Sequence, residues 1–388
     1  MKKKYLILSA GRSDFERYYP IIKKLKTYRK NLDIKIFLFS AHYSKVFGST
    51  YKQIKKEFST VETKKKISFP QNKRFLIKNL SKDINNISKA IENYKPDFMI
   101  VMGDRYEMLA GPYAALHYNL PVIHIYGGAL SEGAIDDLIR HSISKMSHIH
   151  LVALDVYKKR LMQLGEESWR IKTIGIPELK YLTNQKQMSL GEISKSVNLD
   201  FNTTTLLVTF HPVTLELNKT NKYISNLLDA IKKTNFQAVF TYPNADQGSH
   251  LIIKKIKKFV RGKKKYTLIK NCEAKLYANL MRKCNLMIGN SSSGIVEACS
   301  FKLPTVNIGT RQKGKFKPKN VVNSKYDSKN ILKSIKFANS KLFKNKIKKY
   351  KNPYASKMTL NQIISFIIKF QQKEKLIKKK FIDRDFYD

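Results

Sequence analysis

Residues Leu286 to Gln312 read LMIGNSSSGIVEACSFKLPTVNIGTRQ: an apolar strand, a polar Asn-Ser-Ser-Ser-Gly turn, a helix and a second short strand. A chain folded this way aims several backbone N–H groups and the positive end of a helix at one point, which suits a phosphate or pyrophosphate. Ser291, Ser292, Ser293 and Gly294 are read as that anion cradle. Glu297, about one helical turn further on, is placed to accept from both hydroxyls of a ribose. Arg311 opens the loop after LPTVNIG, at the carboxyl edge where an open parallel sheet presents its ligands. Taken alone, the stretch fits a serine-capped helix after a buried strand equally well. The rest of the chain decides between the two.

Upstream, TLLVTFHP, YISNLLDAIKKT, QAVFTYPNADQG, HLIIKKIKKFV, YTLIKN and KLYANLMRKC alternate strand and helix patterns. The first half of the chain does the same. YLILSA reads as a strand, GRSDFERYYP as a loop opening the helix PIIKKLKTY, and DIKIFLFSAHY as the next strand. Residues 53 to 75 read as an irregular, lysine-rich segment around one strand. The helix LIKNLSKDINNISKAIENY and the strands in PDFMIVM, LPVIHIYGG and HIHLVAL follow. Two consecutive βα series predict an α/β protein of two doubly wound Rossmann-type domains facing a central cleft. Their expected extents are 1–176 and 177–365, with a lysine-rich tail at 366–388 and a polar joining loop at 176–204.

Lys and Arg number 75 against 29 Asp and Glu, a formal charge of +46. The lysines run through nearly every helix and loop, so the excess reads as compositional bias and no specific nucleic-acid partner is expected. Three scattered cysteines, Cys272, Cys284 and Cys299, make no CxxC pair and no metal spacing with the eight histidines, which fits reduced residues in a cytoplasmic protein. The apolar run from Tyr5 to Leu8 is too short for a signal sequence or a membrane span. No metal and no cofactor are expected.

Four patterns narrow the function: GDRYE at 103–107, EGAIDDLIRHSISKMSH at 132–148, FHPVT at 210–214, and GNSSSGIVEA with NIGTRQKG at 289–314. With them the chain resembles the UDP-N-acetylglucosamine 2-epimerase family over residues 4 to 325. GRSDF, HIYGG and DDLIRH look like its hydrolysing branch, which makes free manno sugars for nonulosonic acids such as sialic acid. The resemblance implies the GT-B architecture, a homodimer or homotetramer, and a UDP-sugar substrate: UDP-N-acetylglucosamine or its 2,4-diacetamido-2,4,6-trideoxy relative. It also implies that Arg12 and Arg105 face the nucleotide sugar from the first domain, while His211, Asn244, Ser291, Ser292, Glu297 and Arg311 hold UDP from the second.

Such a reaction removes UDP and the C2 proton, passes through a glycal, then adds water with reprotonation on the other face, so carboxyl or imidazole groups must flank the ring. Asp104, at the end of FMIVM, matches the family's GDR aspartate. Asp136 matches a second family carboxylate, Asp137 lies beside it, and both also read as ordinary first-turn helix charge. His211, after TLLVTF, fits a cationic group at the pyrophosphate, with proton transfer as a lesser role. His42 ends a strand, where it either reaches the cleft or is solvated. His124 reads as a core histidine, and His141, His148 and His150 as packing or capping groups. The stretch Tyr126, Gly127, Gly128, Ala129 departs from the family at Tyr126 and Ala129, positions where the family often carries ionisable residues. Glu132 is a candidate substitute, and Tyr126 a candidate proton donor or sugar ligand. A GT-B glycosyltransferase and a non-catalytic nucleotide-sugar-binding protein remain alternatives at this stage.

Overall fold

The computed structural model describes residues 2–44, 49–62, 73–244, 246–270, 272–370 and 373–384. They form two compact units. The first comprises Met1–Ala129, Asp136–Glu178 and Tyr354–Asp388, the second Leu130–Ile135 and Leu179–Pro353.

In the first unit, runs such as YLILS and FMIVM are apolar without alternation, the mark of strands covered on both faces. Seven strands result among the described residues: β1 (Lys3–Ser9), β2 (Leu32–Leu38), β3 (Thr60–Glu62), β4 (Phe98–Met102), β5 (Val122–Ile125), β6 (Ile149–Val152) and β7 (Ile171–Thr173), in the order β3-β2-β1-β4-β5-β6-β7. The pairings are parallel, with Ile7 opposite both Ile36 and Ile100. The order reverses between β1 and β4, so the loops leaving their carboxyl ends, at Ala10 and Gly103, lie at a switch point where such sheets take ligands.

The second unit repeats the plan with β8 (Thr205–Thr209), β9 (Gln237–Thr241), β10 (Tyr266–Ile269), β11 (Leu286–Gly289), β12 (Thr305–Ile308) and β13 (Val321–Ser324), ordered β10-β9-β8-β11-β12-β13, again parallel. Its switch point lies between β8 and β11. There Gly289 (φ +141°) runs so close to β8 that a Cβ would sit 1.9 Å from Thr209 O, so no larger residue fits without parting the strands. Leu206, Val208, Ile224, Leu227, Ile288, Val306 and Ile331 make the core beneath.

Several local expectations change. The first helix starts at Arg12, eight residues before the expected start at Pro20, because Asp14 accepts the N–H groups of Ala10 (2.7 Å) and Gly11 (2.9 Å) and closes its first turn. Pro20 lies inside this helix, at the loss of one main-chain bond. Residues 51–57 are helical and Thr60–Glu62 is a strand, while 63–72 lie outside the described residues. The polar joining loop contains the helices Glu178–Thr183 and Leu190–Val197, the latter capped by Ser189 with Glu192.

The chain returns to the first unit at Tyr354, ahead of the expected boundary at 365. Ile176 N donates to Tyr354 O (2.8 Å), Ser356 packs on Gly175, and Ile363, Ile364 and Ile367 of the helix Leu360–Ile368 are fully buried. The following tail is pinned by charge. Lys379 Nζ lies 2.8 Å from the buried Glu166 carboxylate and 2.6 Å from Ser147 O, and Arg170 donates to Leu376 O and Lys378 O. Burial would raise the Glu166 pKa, but the hydrogen bond from His150 and the Lys379 charge outweigh it and hold the group at about 2. Because this folded pKa lies below the ordinary 4.5, the stabilisation is present above about pH 4.5 and is lost as pH falls towards 2. Lys379→Ala is expected to cost about 1–3 kcal/mol and to make the tail cleavable, as read by thermal melting at neutral pH and limited proteolysis. An unchanged melt and cleavage pattern would remove the latch.

Candidate active site

In the first unit, β4 ends at Met102 and is followed by Gly103, whose positive φ (+76°) turns the chain into Asp104. The carbonyl of Gly103 is held by His124 of β5: Nε2 lies 2.8 Å from it, and Nδ1 lies 3.0 Å from Ser144 Oγ. Burial pushes the His124 pKa down to about 3, so the ring is neutral and Nε2 carries the proton it donates. His124 is thus a satisfied core histidine, and it also fixes the turn that places Asp104.

Asp104 is ion-paired with Arg140, a fully buried side chain on the helix Asp136–Met146. Arg140 also donates to Ala129 O (2.6 Å) and Asp137 Oδ1 (3.4 Å). Burial works against its charge, but Asp104 first, then Asp136 and Asp137, hold it protonated. One guanidinium therefore gathers Asp104, Asp136 and Asp137, residues that the sequence puts in two separate motifs. Asp137 also has His141 Nε2 at 3.8 Å.

The turn after β5 is constrained as well. Tyr126 has φ +69°, and a Cβ on Gly128 would sit 2.5 Å from Tyr157 O, so this backbone path depends on that glycine. The Tyr126 phenol donates to Glu178, and burial, then the Glu178 charge, raise its pKa well above the ordinary value. The phenol hydrogen is thereby committed to Glu178. Tyr126→Phe is expected to lower stability by about 1–3 kcal/mol with kcat almost unchanged. A collapse of kcat with an intact melt would restore the donor role.

Arg12 opens the first helix, half exposed, with Glu16 Oε1 3.6 Å from its Nε. Arg105 is bonded to Glu107 (2.8 Å), whose same oxygen accepts from Ser40 Oγ (2.8 Å). His42 is neither solvated nor presented outward: it is fully buried between Ser9 Oγ (2.9 Å) and Thr50 Oγ1 (2.8 Å). Asp14, which the sequence reading did not single out, lies beside Ser9; burial pushes it up to about 6 against the pull of the Ala10 N–H and the Arg105 charge.

In the second unit, Asn290 is the organising residue, also missed from sequence. Its side chain brackets His211, accepting the His211 N–H (2.7 Å) and donating to the His211 carbonyl (2.9 Å). Its own carbonyl takes Arg311 Nη1 (3.1 Å) and Gln312 Nε2 (3.3 Å). The ends of β8, β11 and β12 are thereby tied together. His211 Nδ1 accepts the N–H of Asn244 (3.2 Å), which leaves Nε2 as the ring's donor.

Ser291 caps the short helix Ser292–Val296 by accepting from Ser293 N (3.3 Å), and Ser291 and Ser292 are partly exposed. Ser293 and Gly294 differ from the cradle expected. Ser293 Oγ donates to Glu297 Oε2 (2.6 Å) and so steers that carboxylate, while Gly294 is buried because a Cβ would meet Thr305 Cγ2 at 2.7 Å. Glu132 belongs to the second unit: its N–H donates to Lys313 O (3.1 Å) and its carboxylate pairs with Lys313 Nζ (2.9 Å). It therefore braces the Thr310–Gly314 loop. Among the described residues no three His, Cys, Asp or Glu side chains converge to hold a metal, and no helix is long and apolar enough to cross a membrane.

Two parallel doubly wound sheets, one with carboxylates gathered on an arginine and one with His, Arg and Ser groups at its switch point, give the chain a GT-B-like α/β fold. The chain belongs to the UDP-N-acetylglucosamine 2-epimerase family, whose model matches residues 23–368. It is 37% identical over 98% of its length to a GDP/UDP-N,N'-diacetylbacillosamine 2-epimerase (hydrolyzing) of Campylobacter jejuni, covering 99% of that protein. It is 30% identical to the UDP-N,N'-diacetylbacillosamine 2-epimerase (hydrolyzing) of Legionella pneumophila, over 92% of this chain and 94% of that one. In fold it is similar to UDP-GlcNAc 2-epimerase from Neisseria meningitidis bound to UDP-GlcNAc, with a TM-score of 0.81 at 18% identity, covering 95% of this chain and 100% of that one.

Proposed function

We propose that the protein is a hydrolysing 2-epimerase of UDP-linked 2-acetamido sugars. The observation that carries this reading is the buried Arg140 holding Asp104 beside Asp136 and Asp137. A base removes the C2 proton as the C1–O bond breaks and UDP departs, leaving a 2-acetamidoglycal. Water then adds at C1 while an acid returns a proton to the other face of C2, so that UDP-sugar and water give UDP and the free manno sugar. Asp104 is the proposed base, and Asp136 or Asp137 serves the second proton transfer. Nε2–H of His211, Arg311 and the partly exposed hydroxyls of Ser291 and Ser292 are proposed to take the diphosphate, spreading the leaving-group charge over fixed donors, and Glu297 the ribose. Arg12, Arg105 and Asn244 complete the proposed substrate contacts.

The names of the Campylobacter and Legionella relatives favour a 2,4-diacetamido-2,4,6-trideoxy sugar ahead of UDP-N-acetylglucosamine. A homodimer or homotetramer acting in the cytoplasm, in a route to nonulosonic acids, completes the reading.

Incubation with each UDP-sugar, and with the GDP-linked form, in heavy water tests it. Proton and phosphorus NMR are expected to show UDP release, a free manno sugar and one deuterium at C2. Sugar transfer that needs an acceptor would mark a glycosyltransferase, and saturable UDP binding without turnover a binding protein.

A further inference from the structure

The amino end of β7, the edge strand of the first sheet, borders a groove of about 780 Å³ lined by Lys158, Trp169, Lys172, Phe366, Lys369 and Arg384 together with Glu167. The groove is separate from the carboxylate site, which follows the carboxyl ends of β4 and β5. Trp169 is the chain's only tryptophan, and it is 49% exposed.

The indole is fixed in place. Its Nε1–H donates to Glu167 Oε1 (3.0 Å), and the buried Arg170 guanidinium lies 4.3 Å from its ring centre. The other Glu167 oxygen takes Arg170 Nε (2.5 Å), so the groove's carboxylate is already neutralised within the wall. The charge left facing solvent is cationic: Lys172, Lys369 and Arg384 are exposed and Lys158 is partly so. They come from the helix Asp155–Gln163, from β7, from the end of the helix Leu360–Ile368 and from the tail, and only the fold brings them together. Arg384 is itself anchored through Nε to Met162 O (3.0 Å).

A rigid aromatic plate ringed by cations, on a shallow and open groove, matches a flat ring carrying several negative charges. We propose that this groove is a second ligand site, binding a nucleoside polyphosphate with its base stacked on Trp169 and its phosphates on Lys158, Lys172, Lys369 and Arg384. The pinned, half-exposed indole favours such a ligand over an anionic bilayer, which calls for a protruding aromatic. The base requirement separates it from the general attraction of a +46 chain for polyanions.

Because Trp169 is unique, its emission reports on this groove alone. The full chain, saturated with UDP to occupy the proposed catalytic site, is titrated with ATP and excited on the red edge of the indole band. Saturable quenching is expected, with tripolyphosphate and adenosine each weaker by about tenfold or more. Lys172→Glu with Arg384→Glu, both exposed, is expected to weaken ATP by about tenfold or more, with UDP release from the sugar nucleotide unchanged. Calorimetry on Trp169→Ala is expected to show the same loss. Absence of saturable quenching, equal quenching by tripolyphosphate, or indifference to the charge reversals overturns the proposal. So does an emission shift with phosphatidylglycerol vesicles but none with ATP, which would assign the face to a membrane. UDP release is measured separately, so either reading can fail without the other.

Discussion

Asp104→Asn is expected to lower turnover by about 10²–10⁴-fold, the range for losing a positioned general base, with KM changed little. The replacement keeps the size and one acceptor oxygen but removes the charge. Arg140, fully buried, then loses the partner that does most to keep it protonated in place, and keeps Asp137 at 3.4 Å. Loss of a buried partner usually costs about 3–5 kcal/mol. Asp104 is 31% exposed and two further carboxylates remain, so about 1–3 kcal/mol is expected here. The decisive readout is isotopic: deuterium exchange at C2 should vanish together with UDP release. If exchange continues in the Asn variant, another residue removes the C2 proton.

Asn290→Ala is expected to weaken UDP binding by tenfold or more, roughly what one misplaced charge-assisted contact is worth, and to destabilise the second unit. The buried His211 N–H and carbonyl lose their partners together, at about 1–3 kcal/mol for each group. His211 then drifts from β11, and the Asn290 carbonyl that holds Arg311 and Gln312 shifts with its backbone. Asn290→Asp separates the two effects, because a carboxylate still accepts from His211 N but cannot donate to the carbonyl. Its UDP affinity should fall between the parent and Ala. A UDP titration by calorimetry, beside thermal melts, checks the order; wild-type affinity in Ala would show that this tie does not shape the nucleotide site.

The strands were legible because parallel strands buried on both faces write themselves as unbroken apolar runs, as in YLILS, FMIVM, TLLVT and LMIG. Alternation with helices implied parallel, doubly wound sheets, while their strand orders are decided by the tertiary structure. The early start of the first helix was not legible, since its cap works through Asp14 reaching backward, and Pro20 argued for a later start. The capping box at Ser189 and Glu192 was visible in sequence, but eight helical residues give too little periodicity to stand out in a polar stretch. Arg140 lay in a quoted motif, yet an arginine four residues after an aspartate reads as a surface pair. Only burial against the β4 turn makes it the centre of three carboxylates.

By itself the sequence determined the class of fold, the order of its elements and the set of motifs, because these depend on local apolar periodicity and on residue types at fixed spacing. The tertiary structure decided which charges meet. Asp104 finds Arg140 across 36 positions and His211 finds Asn290 across 79, Glu132 turns to Lys313 within the second unit, and Ser293 holds Glu297. Partner choice over such separations depends on strand order, the turn geometry at Gly103 and Gly289, and the cost of leaving any buried charge or N–H unpaired. None of these quantities is carried by a single stretch of chain.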